Sequence, residues 1–92
     1  MTNLHIDENG NKHWYNSRGE YHRDDGPAFE GIDGDKFWCR NGQLHREDGP
    51  ALMGIDGGKA WCINGDLHRE DGPAQEFANG EKHWWINGKK IQ

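Results

Sequence analysis

The chain has 92 residues, of which 32% are hydrophobic and 29% charged, and it carries a net charge of −5. That length holds one domain at most, and so little apolar material excludes a thick two-layer core. The acid excess weighs against a general nucleic-acid binder and against an anionic lipid surface. Five Trp, three Phe and two Tyr set it apart from a disordered chain of the same charge.

In chain order, residues 1–9 read as an irregular opening strand. Asn9-Gly10 is a hairpin signal, because Asn tolerates positive φ and Gly prefers it. The word Gly10-x-Lys12-x-Trp14 follows, and its closing glycine, Gly19, comes one residue late through an insertion in Asn16-Ser17-Arg18. Next comes a connector, His22-Arg23-Asp24-Asp25-Gly26-Pro27-Ala28. It recurs 23 residues later from His45 to Ala51 and again from His68 to Ala74. Between connectors the hairpin word returns as Gly34-x-Lys36-x-Trp38-x-x-Asn41-Gly42. Further copies run from Gly57 to Gly65 and from Gly80 to Gly88.

Four imperfect units of about 23 residues result, approximately 1–22, 23–45, 46–68 and 69–92 within a single domain of residues 1–92. Asp33-Gly34, Asp56-Gly57 and Asn79-Gly80 read as two-residue hairpin turns. Asn41-Gly42, Asn64-Gly65 and Asn87-Gly88 turn the chain a second time. Pro27, Pro50 and Pro73 each start a strand. The spacing predicts an all-β chain: an antiparallel meander of about eight strands, two per repeat, in an open twisted single-layer sheet.

Side chains alternate along a strand. Lys36, Trp38 and Arg40 share one face with their equivalents; Phe37 and Cys39 share the other. The repeated Trp face is expected to stack the units. The variable face carries Tyr15, Cys39, Cys62 and Trp85 in one phase and His13, Phe37, Ala60 and His83 in another. The alternative is that this variable face is the core and the Lys–Trp face is wet.

Trp-x-x-Asn-Gly-x-x-His, best seen at Trp38–His45 and Trp61–His68, resembles the MORN repeat, and the likeness covers nearly the whole chain. Two departures stand out. Arg23, Arg46 and Arg69 replace the usual glycine after the His, and the Tyr-x-Gly ahead of the Trp is missing. The connector looks like MORN-variant repeats of small uncharacterised bacterial and tailed-phage proteins. The resemblance implies an open sheet and a non-catalytic scaffold that binds proteins.

His22, His45 and His68 share a phase, but equivalent residues two strands apart lie about 10 Å from one another, too far to share a metal ion. The simpler reading is a folding device. The His packs and donates one hydrogen bond, the Asp caps the Gly-Pro turn, and the Arg pairs with it or lies over an aromatic ring. Cys39 and Cys62, at the same spacing, are expected to be unlinked thiols.

The reading taken forward is a non-enzymatic protein-binding module without catalytic residues, metal or cofactor: a cytoplasmic, phage-type inhibitor of a host defence protein. Two alternatives are a protein that sequesters a nucleotide or sugar and a structural scaffold. An enzyme is disfavoured because no unrepeated cluster of acid, base or nucleophile is evident. The partner is expected to be a host protein with a basic patch, met by Tyr15, Phe37, His83 and Trp85 on the face and by Glu47, Asp48, Glu70 and Asp71 on the connector edge. A homodimer is expected through the aromatic face, and no direct contact with nucleic acid or membrane.

Overall fold

A computed structural model describes residues 2–91. The chain is all-β, with fourteen short strands and no helix among the described residues. Eight of them, β1 (Asn3–Ile6), β2 (Lys12–Tyr15), β3 (Phe29–Glu30), β4 (Lys36–Phe37), β7 (Leu52–Met53), β8 (Lys59–Ala60), β11 (Gln75–Glu76) and β12 (Lys82–His83), form one antiparallel sheet in that order, not closed into a barrel. Eight strands at about 4.8 Å spacing cover about 34 Å, which accounts for the 40 Å long axis of the molecule.

The remaining six strands form three separate hairpins: β5 (Cys39–Arg40) with β6 (Gln43–Leu44), β9 (Cys62–Ile63) with β10 (Asp66–Leu67), and β13 (Trp85–Ile86) with β14 (Lys89–Lys90). Each repeat therefore contributes a hairpin to the sheet, and each of the last three a second hairpin beside it, where the first has the single Tyr15–Tyr21 bridge. The break falls at the tryptophan. Trp38 donates its N–H to Ala51 across the main sheet at 2.7 Å, while its carbonyl accepts from His45 across the small hairpin at 2.9 Å. Successive small hairpins are tied together as well, Arg46 N–H to Cys62 at 3.0 Å and Gly65 N–H to Leu44 at 2.8 Å.

The two turns of a repeat differ in kind. Asn41, Asn64 and Asn87 have φ near 50°, and the glycines after them also have positive φ. These are two-residue turns whose backbone twist suits a hairpin. The Asp33-Gly34 type of turn was expected to match, but it is a three-residue loop. Gly34 N–H reaches the Gly31 carbonyl at 3.0 Å and Gly31 N–H reaches Asp35 at 2.8 Å, with only the glycine at positive φ. The Asp33 side chain stabilises this loop by accepting from the Asp35 N–H at 3.1 Å. The insertion in the first repeat has the same effect. Asn16 and Gly19 close a three-residue loop where later repeats have two.

Register places one row across the whole sheet: His5, His13, Phe29, Phe37, Leu52, Ala60, Gln75 and His83. The row beside it, on the opposite face, reads Ile6, Lys12, Glu30, Lys36, Met53, Lys59, Glu76 and Lys82. Opposite charges face each other across several of these strands, which favours pairing. Ala28, Ala51 and Ala74 are fully buried beside the tryptophans, and Cys39 and Cys62 are buried in the small hairpins. Among the described residues no large side chain is fully buried, so a thick apolar core does not organise this fold.

Candidate functional site

The three connectors are clasps of one design, to which the outer two add an ion pair, Arg23 with Glu30 and Arg69 with Glu76, each at 3.3 Å. The Arg23, Arg46 and Arg69 guanidinium carbons each lie 3.9 Å over the ring centroid of Trp14, Trp38 and Trp61. In the middle copy, Arg46 Nε donates to Asp48 at 3.0 Å and Nη1 to the Pro50 carbonyl at 3.1 Å. The guanidinium is held between the tryptophan and the connector backbone. A Cβ on Gly49 would sit 2.8 Å from the Arg46 Cζ. Arg-x-Asp-Gly-Pro is thus a single device: cation, carboxylate, a bare backbone position, and a carbonyl presented by proline. Of the two roles expected for the arginine, pairing and stacking, the structure shows both.

The histidine links neighbouring repeats. Asn64 N–H donates to His45 Nδ1 at 3.0 Å, so the proton of the neutral ring lies on Nε2, which faces Glu47 at 3.3 Å. His22 and His68 do the same with Asn41 and Asn87 and with Asp24 and Glu70. The ring therefore uses both nitrogens, one more hydrogen bond than the single donation expected.

These clasps set out pairs of carboxylates along one rim: Asp24 with Asp25, Glu47 with Asp48, and Glu70 with Asp71. Their side chains are 72–88% exposed. Open grooves lie between successive connectors, with Trp38 in the first and Trp61 in the second, each walled by arginine and acid. Among the described residues no group of three or more His, Cys, Asp or Glu is placed to hold a metal ion. Nor is there among them a helix long and apolar enough to cross a membrane.

Glu47, Asp48, Glu70 and Asp71 are therefore brought together on the rim. The aromatic residues named with them are not contiguous. Tyr15 and Phe37 join His13, Tyr21 and Phe29 in a half-buried cluster, with Phe29 and Phe37 stacked at 5.2 Å and Tyr15 and Tyr21 at 5.1 Å. His83 and Trp85 lie at the far end of the sheet, separated from that cluster by Leu52, Ala60 and Gln75. There His83 packs edge-on to Phe77 at 5.4 Å, and Trp85 Nε1 donates to Gln75 at 2.9 Å.

The structure also assembles a chain that sequence reasoning missed. His13 Nε2 faces Asp7 at 2.9 Å, and His13 Nδ1 faces the Tyr21 hydroxyl at 2.8 Å. The His13 hydrogen bond, with help from the Asn11 and Asn9 backbone, holds the Asp7 carboxyl down to about 2 against some desolvation. Burial, then the hydrogen bond to Tyr15, pushes Tyr21 up to about 12. At neutral pH the tyrosine keeps its proton, so the chain runs from the Asp7 carboxylate through the His13 ring to an intact phenol. The available signal was the absence of repetition, since Gly31, Phe37 and Leu44 stand where Asp7, His13 and Tyr21 fall in the first unit.

The chain matches no family model, no curated protein and no solved structure.

Proposed function

We propose that the chain is a non-catalytic, MORN-like repeat module that binds another protein: a cytoplasmic, phage-type inhibitor of a host defence protein with a basic patch. The observation that carries this reading is the rim, where an exposed carboxylate pair recurs at each connector. The inward bond of Asp48 involves only one of its oxygens, the Oδ1 that meets Arg46. The other oxygen is available to a cation from outside. Carboxylates so placed steer encounter with a basic surface and raise the association rate at low salt. The grooves give the sequestering alternative little support, because a guanidinium already covers a face of each of their tryptophans.

The test begins with capture from host lysate, followed by kinetics on the recovered protein. Replacing Glu47, Asp48, Glu70 and Asp71 by their amides should slow association and flatten its salt dependence. Trp85→Ala should mainly speed dissociation. An unchanged association rate at every salt concentration refutes the electrostatic account. A thermal shift with a small metabolite, and no bound protein, refutes the protein-binding reading itself.

A further inference from the structure

The junctions between repeats in the main sheet are built alike. Trp14 N–H donates to Ala28, Trp38 to Ala51 and Trp61 to Ala74, at 2.7–2.8 Å. Trp84 is the fourth member of this series. Its carbonyl accepts from Ile91 at 2.9 Å, as the others accept from their histidines, but its N–H has no partner among the described residues. Beside it, the ladder between β11 and β12 fixes which groups of β12 face outward. Phe77 N–H bonds to the Glu81 carbonyl at 2.9 Å, so the alternation of an antiparallel pair turns His83 inward and Lys82 outward.

At the other end of the sheet, Asp7 N–H bonds to the Asn11 carbonyl at 3.0 Å. The same alternation turns Asn3 and His5 toward β2 and leaves the N–H and C=O groups of Leu4 and Ile6 outward. By register, Leu4 occupies the place of Ala28 opposite a tryptophan, and Ile6 the place of Glu30 opposite a lysine. Both side chains are about half exposed, at 50% and 54%.

We propose that the two ends recognise each other between copies: β12 with Trp84 of one chain pairs with β1 of the next, continuing the sheet head to tail. The joint reproduces the main-sheet part of an interior junction. Lys82 and Ile6 exchange two backbone hydrogen bonds, and Trp84 N–H donates to the Leu4 carbonyl. A lysine at an edge ordinarily discourages such pairing. Within this sheet, however, Lys36 and Lys59 both face Met53, so a lysine opposite an apolar side chain is already part of the interior pattern. Lys82 opposite Ile6 repeats it, with the lysine stem lying over the isoleucine. Because the contact joins two different surfaces, it does not close on itself, and it yields open chains rather than a symmetric pair.

Sedimentation equilibrium of the 92-residue chain from about 10 µM to about 1 mM tests this, a range suited to a small contact. The weight-average mass should climb with concentration past twice the chain mass of 10.6 kDa. Leu4→Pro places a ring on the edge beside the carbonyl that Trp84 N–H would meet, and should weaken association by about tenfold. Its β12 edge stays open, so added to wild type it should shorten the assemblies. Should Leu4→Pro lose its β-rich spectrum, Ile6→Glu and Ile6→Lys decide instead. The first recreates across the joint the Lys59–Glu76 pair of an interior junction and should tighten association, the second should loosen it, and the two should differ by about fivefold. A mass fixed at that of one chain, a plateau at two, or equal behaviour of the two Ile6 variants overturns the proposal.

Discussion

Arg46→Ala removes the centre of the middle clasp. The side chain is only 24% exposed, and its loss can be divided by contact. The guanidinium over Trp38 is worth about 1 kcal/mol at a partly dried site. The charged hydrogen bond to the Pro50 carbonyl is worth about 1.5–2 kcal/mol. The bond to Asp48, whose carboxylate is 88% exposed, adds about 0.5 kcal/mol at most. The expected cost is about 3 kcal/mol, a large part of the roughly 5–14 kcal/mol available to a chain of this size. Thermal unfolding should drop by about 4–8 °C for each kcal/mol. Gly49→Ala supplies the control. Its added Cβ would lie within 3.2 Å of three guanidinium atoms, so it should displace the arginine and destabilise the wild type, yet cost little in the Arg46→Ala background. Urea titration of the four chains measures both effects. An Arg46→Ala cost under about 0.5 kcal/mol, or a Gly49→Ala cost independent of Arg46, refutes the clasp as the source of stability.

Two further outcomes follow from the titrating groups. The Asp7 carboxyl is held down to about 2, chiefly by His13, below its unfolded value of about 3.9. The stability it lends is fully present above that unfolded value and is lost as the pH falls toward about 2. Asp7→Asn should flatten this part of the acid limb, and identical melting profiles between pH 2 and 5 for the two chains would refute the pairing. Burial, then the nearby Asp66, pushes the Cys62 thiol up to about 11, and burial raises Cys39 too. Both should react with a disulfide reagent far more slowly in the folded chain than in urea. Reaction of either at the rate of an exposed thiol in the folded protein would contradict the packing.

The repeat, the eight-stranded sheet and the Asn-Gly turns were legible because each depends on residues close in sequence. Asn41 and Gly42 carry their turn in their own backbone preferences, whatever surrounds them. The second hairpin of each repeat was not legible. It depends on Trp38 sending its N–H one way and its carbonyl another, a choice made by strands that Ala51 and His45 belong to. The three-residue loop at Asp33 was misread for a related reason. Asp-Gly suits both loop lengths, and the decision rests on how Gly31 and Asp35 meet across the strand ends. The rim was legible, since its acids lie next to the arginine and histidine that place them. The Asp7–His13–Tyr21 chain was hidden because its members come from three separate segments, and their alignment follows from the register of β1 with β2 and of Tyr15 with Tyr21.

The clasp also determines what the rim is free to do. Asp48 belongs to both. Its Oδ1 is committed to Arg46, and losing that bond would loosen the arginine from Trp38. A partner that pulled the whole carboxylate outward would work against the fold, whereas one that took only the second oxygen would leave the clasp closed. Glu47 is bound more loosely, 3.3 Å from the His45 ring, and is the easier group to recruit. The proposed binding mode therefore assigns the two carboxylates of a pair different tasks. The aspartate holds a fixed position in the array, and the glutamate moves to meet the cation. Substituting Glu47 and Glu70 alone should thus remove much of the salt-dependent association rate at little cost in stability. Substituting Asp48 and Asp71 should lower both, because those two side chains also close the clasps.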